Sequence, residues 1–135
     1  MNAQSISVTG QWNYTIPTID ITEAGEDFTG TYTSSVNQVY LDIIFNNRWE
    51  LSVQRNNIDW DNTLRIFVHR TGNGYGTGRI SGGQNYIRIR NNDRRFFTGR
   101  RNRNNIPIQY QMRDVSATIP AHNYVTEIMY TLTAR

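Results

Sequence analysis

The sequence contains no cysteine. Disulfides, thiolate metal sites and thiol nucleophiles are therefore excluded. It contains no lysine either, so all fourteen basic residues are arginine. No side-chain amine is present for Schiff-base or isopeptide chemistry, and every side-chain cation is a planar guanidinium suited to bidentate hydrogen bonding and aromatic stacking. Histidine is limited to His69 and His122. Neither sits in a helical metal motif, and no cysteine can complete a zinc site. Alanine and leucine are sparse, which argues against a helical protein. No apolar run is long enough to span a membrane as a helix.

Other catalytic signatures are missing too. There is no nucleophile elbow and no phosphate-binding glycine loop. Gly74-Tyr75-Gly76-Thr77-Gly78 contains a G-x-G, but no strand-to-helix context follows it. It reads as part of a flexible glycine-rich loop from Thr71 to Gly83. The acids Asp20, Glu23, Glu26 and Asp27 form one group and Asp59 with Asp61 another. Paired carboxylates can hydrolyse glycosides or hold calcium, but the spacing matches no EF-hand loop, and such acids commonly solvate turns. No metal, no cofactor and no enzymatic activity are expected.

What is present is period-two alternation. Ile6, Val8, Gly10, Trp12, Tyr14 and Ile16 share one parity, with polar residues between them, and every second position but Gly10 is apolar. Val39–Phe45 is the most apolar run and reads as a central strand; Asn46-Asn47 then turns the chain into Trp49–Val53, which suggests a β-hairpin. Asn56-Asn57 reads as its end. Further strands are expected at Leu64–Val68, Tyr86–Arg90, Ile106–Met112, Val115–Ile119 and Tyr124–Thr133, the last with Tyr124, Ile128, Tyr130 and Leu132 on one face. Pro107 suggests an edge strand or a strand start. About nine or ten short strands with turn signals every roughly 8–12 residues fit an antiparallel β-sandwich, Ig-like or pilin-like. No linker or repeat divides the 135 residues, so a single domain is expected.

Three groups of residues are candidates for contact with a partner. The first is the N-terminal strand, with Ile6, Val8, Trp12, Tyr14 and Ile16, within residues 1–16. A long alternating strand at a chain end can pair in its own sheet or add to the edge of a neighbouring copy. The second is the run Arg88, Arg90, Arg94, Arg95, Arg100, Arg101 and Arg103, with Phe96 and Phe97 among them, which suits an acidic partner or an anionic polymer. The modest net charge of +3 argues against nucleic acid. The third is aromatic: Trp49 is expected in the core, while Trp60 and Tyr75, flanked by loop residues, could stack on sugar rings.

Charge is uneven along the chain. Residues 1–67 carry eight acids and three arginines (−5), and residues 68–135 carry three acids and eleven arginines (+8). Head-to-tail contact between copies is one use of that polarity; the alternative is that both halves interleave in one fold and the field averages out.

Pro120-Ala121-His122-Asn123-Tyr124, followed by Met129-Tyr130-Thr131-Leu132-Thr133, resembles the closing strand of secreted bacterial surface modules. In WxL-type wall-associated proteins, spore-coat-U-like domains and usher-pathway pilins, a Pro-Ala-Gly-x-Tyr turn leads into a final alternating strand. Here His122 stands in place of the glycine. The resemblance implies a surface or structural role and carries no active site. Asn2-Ala3-Gln4 reads as the start of a mature chain cut after a small residue, so a secreted or cell-surface location is expected. These readings favour a non-catalytic structural subunit assembling with copies of itself, with a carbohydrate-binding or adhesive module as the alternative.

Overall fold

The computed structural model describes residues 4–14, 29–60, 64–116 and 124–135. These form ten strands: β1 (Ser5–Thr9), β2 (Thr29–Thr33), β3 (Val39–Ile44), β4 (Arg48–Asp59), β5 (Arg65–Arg70), β6 (Ile80–Gly82), β7 (Ile87–Ile89), β8 (Arg94–Arg100), β9 (Arg103–Ser116) and β10 (Val125–Ala134). One sheet runs β1-β3-β9-β5-β7, with β2 also paired to β9; the other runs β10-β4-β8-β6. Every pairing is antiparallel. The expected all-β antiparallel sandwich is what forms.

Alternation builds the core. Val39, Leu41 and Ile43 of β3, Ile66 and Val68 of β5, and Ile106, Ile108 and Tyr110 of β9 point inward from the first sheet. Trp49, Leu51 and Val53 of β4 and Phe96 and Phe97 of β8 meet them from the second. Each such side chain removes apolar surface worth roughly 1.5–3 kcal/mol from water, which is why period two and not local propensity sets the layers.

Several boundaries differ from expectation, each for a long-range reason. β3 and β4 do not form a hairpin. They lie in different sheets, because each finds other neighbours: β1 and β9 for β3, β10 and β8 for β4. Phe45 to Asn47 crosses from sheet to sheet, and the Phe45 amide donates to Asn102 Oδ1 at 2.8 Å. Asn56-Asn57 does not end a strand, since β4 continues to Asp59 beside β10. Ile106–Met112 and Val115 belong to one strand, β9. Pro107 sits inside it, in the middle of the sheet. The Thr71 amide donates to the Pro107 carbonyl at 3.0 Å, so Pro107 turns its missing N–H toward the place where β5 has just ended. The proline therefore forfeits a bond at the rim of the ladder and none within it.

The glycine-rich segment is more ordered than a flexible loop. It contains β6 and an isolated bridge between Tyr75 and Asn104, and it is held from beneath by two buried arginines. Arg70, 3% exposed, donates to the carbonyls of Gly72 and Gly82 and to Asn73 Oδ1. Arg103, 6% exposed, donates to the carbonyls of Asn73 and Gly78. Burial, and then the Arg103 charge, lower the pKa of Arg70. Both sheets contain strands from both halves of the sequence, so the described parts of the acidic and basic halves interleave.

Trp49 anchors the second sheet. It is fully buried, meets Phe97 edge-on at 5.8 Å between centroids, and its indole N–H donates to the Arg101 carbonyl at 2.9 Å. Gly99 lies against the face of that indole, and a Cβ there would overlap the six-membered ring. Gly99→Ala is therefore expected to destabilise the fold by roughly 1–3 kcal/mol through overpacking. Urea denaturation measures this, and an unchanged midpoint would show that the indole has room to move.

Candidate functional site

The N-terminal segment supplies the candidate site. β1 pairs only with β3, from Ser5 opposite Ile44 to Thr9 opposite Tyr40. Among the described residues nothing pairs with its outer edge. Ile6 packs against the core, while Val8 is half exposed. The strand stops at Gly10, whose φ of 110° lies in the region open to glycine, and where a Cβ would meet the Gln38 carbonyl at 2.6 Å. Beyond this turn, Gln38 Nε2 donates to the Gln11 carbonyl at 2.6 Å.

Residues 11–14 then close one end of the sandwich with aromatic rings. Trp12 stacks parallel on Tyr110 at 6.3 Å between centroids, and Tyr14 lies 4.9 Å from Tyr32. Trp12, Tyr14 and Tyr110, together with Trp60, Ile128 and Tyr130, border a cavity of about 360 Å³ between the sheets. Ile16 lies outside the described residues.

Across this side of the sandwich stands β10, close to β1. Its register with β4 is regular from Glu127 to Ala134. The Arg135 amide donates to the Arg48 carbonyl at 3.1 Å, and an antiparallel ladder alternates its hydrogen-bonded pairs. Residues 133, 131 and 129 therefore bond to β4. The backbone groups of 134, 132, 130 and 128 face outward, and no strand of the described residues meets them. The side chains of Ile128, Tyr130 and Leu132 share one face, as expected, and pack against the core.

The structure disperses the arginine run. Arg103 is interior, so it offers no surface contact; the bulge that brings β9 into register turns it inward. Arg95 pairs with Glu50. Arg94 reaches the Arg88 carbonyl. Arg88 lies near Arg65, Arg90 and Asp114, and its pKa is lowered by desolvation and then by those two cations. Arg100 and Arg101 are exposed at the opposite end of β8 from Arg94. Arg90 is exposed after β7.

The aromatic candidates also diverge. Trp60 is half buried against the core and its indole N–H donates to the Leu64 carbonyl at 2.9 Å. Tyr75 is 72% exposed, beside a shallow hollow shared with Val36, Tyr40 and Pro107. His69 has both ring nitrogens engaged, by the Gln84 carbonyl at 3.0 Å and Gln109 Oε1 at 2.7 Å. The acids Asp20, Glu23, Glu26, Asp27 and Asp61, and His122 with its turn, lie outside the described residues. Among the described residues no three acids or histidines gather closely enough to hold a metal ion.

Compared with known protein families, curated proteins and solved structures, the chain matches none.

Sequence reasoning missed one pair beside the cavity. The hydroxyls of Tyr110 and Tyr130 are 2.6 Å apart. Burial pushes the Tyr110 pKa up to about 12, against a smaller lowering by its bond to Tyr130. Tyr130 is raised well above its ordinary value, first by burial and then by Tyr110. A tyrosine whose folded pKa is raised stabilises the fold fully below the unfolded pKa of about 10. That contribution is lost as pH climbs through the folded value. Stability is therefore expected to fall between about pH 10 and 12, by on the order of 2–3 kcal/mol for Tyr110. Tyr130→Phe alone should cost about 1–3 kcal/mol by orphaning a buried hydroxyl, whereas Tyr110→Phe with Tyr130→Phe should be nearly neutral at pH 7 and flatten the alkaline loss. Chemical denaturation across pH tests both statements; a double variant as unstable as the sum of the singles would contradict them.

Proposed function

We propose that this domain is a non-catalytic extracellular structural subunit that assembles with copies of itself by strand addition, into a filament or surface layer. The observation that carries this reading is an asymmetry among the outer strands. On one side the sandwich ends in β6 and β7, three residues each. Very short edge strands are a common guard against edge-to-edge pairing. On the other side it ends in β1, β2 and β10, of five, five and ten residues. β10 offers a regular backbone edge from Glu127 to Ala134, with no proline and a bulge only near its start.

β1 is the natural occupant of a neighbour's edge. It is held by one strand, turns at Gly10, and continues into the ring-bearing segment with Trp12 and Tyr14. A second copy offers the same β3 edge and the same end of the sandwich, so an exchanged segment would regain the contacts it leaves at home. Repeated between successive copies, such exchange gives an open chain rather than a closed pair. Export of the mature chain to the cell surface belongs to the same reading.

Deleting residues 1–16 is expected to abolish assembly and leave a soluble, less stable domain. A peptide of residues 4–14 added to that truncated domain should raise its melting temperature. Electron microscopy and sedimentation of the intact protein read the first outcome. An intact chain that stays monomeric at high concentration, or a truncated chain that still assembles, would count against strand addition.

A second reading rests on Tyr75. Its exposed ring stands beside Tyr40 and Pro107, with the amides of Asn37 and Asn105 on the same hollow. A flat aromatic face with flanking amides suits a neutral sugar. Tyr75→Ala should lower glycan binding at least tenfold if this hollow is a site; a broad glycan array without signal removes it.

A further inference from the structure

The register of the second sheet places four arginines in one row. Arg48 of β4 is directly opposite Arg100 of β8. On one flank, the Arg135 amide donates to the Arg48 carbonyl at 3.1 Å, one step past the pairing of Ala134 with Trp49. On the other flank, the Arg100 amide donates to the Arg79 carbonyl at 2.8 Å, one step past the pairing of Ile80 with Gly99. The row is thus Arg135, Arg48, Arg100, Arg79, and it spans the width of the second sheet, with Arg135 and Arg79 one residue outside β10 and β6. Residues opposite one another in an antiparallel sheet present their side chains on the same face. The next position on β4, Trp49, is fully buried, so this row faces outward. All four residues are exposed. At the usual strand spacing the row is ~14 Å long.

Like charges directly opposite one another destabilise a sheet, and this row has no relief among the described residues. Arg65 pairs with Asp114 and Arg95 with Glu50, and neither pair includes a member of the row. Glu50 is the acid of the adjacent row, and Arg95 already engages it. Arg101, also exposed, lies one step beyond Arg100 along the chain, with its amide on the Asn47 carbonyl.

We propose that this row is a binding site for an extended acidic polysaccharide bearing carboxylate or sulfate groups. Guanidinium forks pair with such groups through two parallel hydrogen bonds, and a straight row of them matches a polymer with repeating charge. The neighbouring row supplies Thr133, Thr98 and Ser81 beside Glu50, hydroxyls that can meet sugar hydroxyls. Single-stranded nucleic acid would call for aromatic platforms on which bases stack. None stands in the row or in the row beside it. This site does not rest on strand exchange, and only its end members, Arg79 and Arg135, adjoin the outer strands.

The test is binding of a fluorescent heparin oligosaccharide to the full chain at several salt concentrations, with an oligothymidylate of equal charge in parallel. Wild type should bind heparin, more weakly as salt rises. Arg48→Ser with Arg100→Ser should lower affinity at least tenfold. Arg90→Ser with Arg94→Ser, the same loss of charge at the far end of β8, should lower it less than threefold. Circular dichroism melting of the first variant should show no loss of stability, because a repulsion is relieved. If that variant does not fold, Arg79→Ser with Arg135→Ser replaces it and should cost at least fivefold. Equal losses in the two double variants, no heparin binding at 50 mM salt, or tighter binding of the oligothymidylate through the same row would each overturn the proposal.

Discussion

The first sheet depends on one strand. β9 runs fourteen residues and pairs with three others: β2 and β3 along one edge and β5 along the other. β2 and β3 lie end to end on that edge, and the gap between them is filled by Ser34, whose amide donates to the Tyr110 carbonyl and whose hydroxyl accepts the Tyr110 amide, each at 2.9 Å. A strand of this length, twisted over a closed core, has to take up extra residues, and β9 does so twice. The register shifts between Leu41 and Ile43 and again between Gly30 and Tyr32. Close to each shift a β9 residue has positive φ: Asn105 at 54° and Asp114 at 60°. Asn and Asp tolerate that region better than other residues with a Cβ, and bulges of this kind increase local twist. Asp42 secures the first shift by accepting the Asn105 amide at 2.8 Å. Because β3 takes its position from β9, and β1 takes its position from β3, the placement of β1 follows from the first of these irregularities.

The sandwich was legible from period two alone. Val39, Leu41 and Ile43 alternate with polar or half-buried neighbours, as do Ile128, Tyr130 and Leu132, and a one-residue slip would expose every one of them. Trp49 as a core residue was legible for the same reason. The same parity also places Arg70 inside, two steps beyond Val68 and four beyond Ile66. That parity is weak evidence on its own, because a charged residue at the end of a run is ordinarily the point where the run meets solvent.

Partner choice between strands was not legible. Asn46-Asn47 has the composition of a tight hairpin turn, yet local turn chemistry says nothing about which sheet the second strand will join. That depends on β9 and β8, some fifty residues later in the chain, whose edges compete for β3 and β4. The arginine row was hidden for the same reason. Arg48, Arg79, Arg100 and Arg135 are scattered through the sequence and become neighbours only through three independent registers. The run from Arg88 to Arg103 is dense in sequence, but turns and a bulge send its members to the interior, to an ion pair and to different ends of the second sheet.

An all-arginine set of cations suits both uses the fold makes of positive charge. Arg70 and Arg103 are buried on loop carbonyls without a carboxylate among the described residues, an arrangement that a weakly hydrated, delocalised cation with several fixed donors meets better than an ammonium. The exposed row carries a repulsion that nothing else in the described fold offsets. Local conflicts of this kind concentrate where a surface has another use. The row also stands perpendicular to the other unsatisfied feature of the second sheet. The backbone groups of β10 point outward in the plane of the sheet, whereas the guanidinium groups rise from its face. A strand added at β10 would extend the sheet without covering the row, and a polymer lying along the row would leave the β10 edge open. The two surfaces can therefore be occupied together, and a chain of subunits joined edge to edge would repeat the row at each copy.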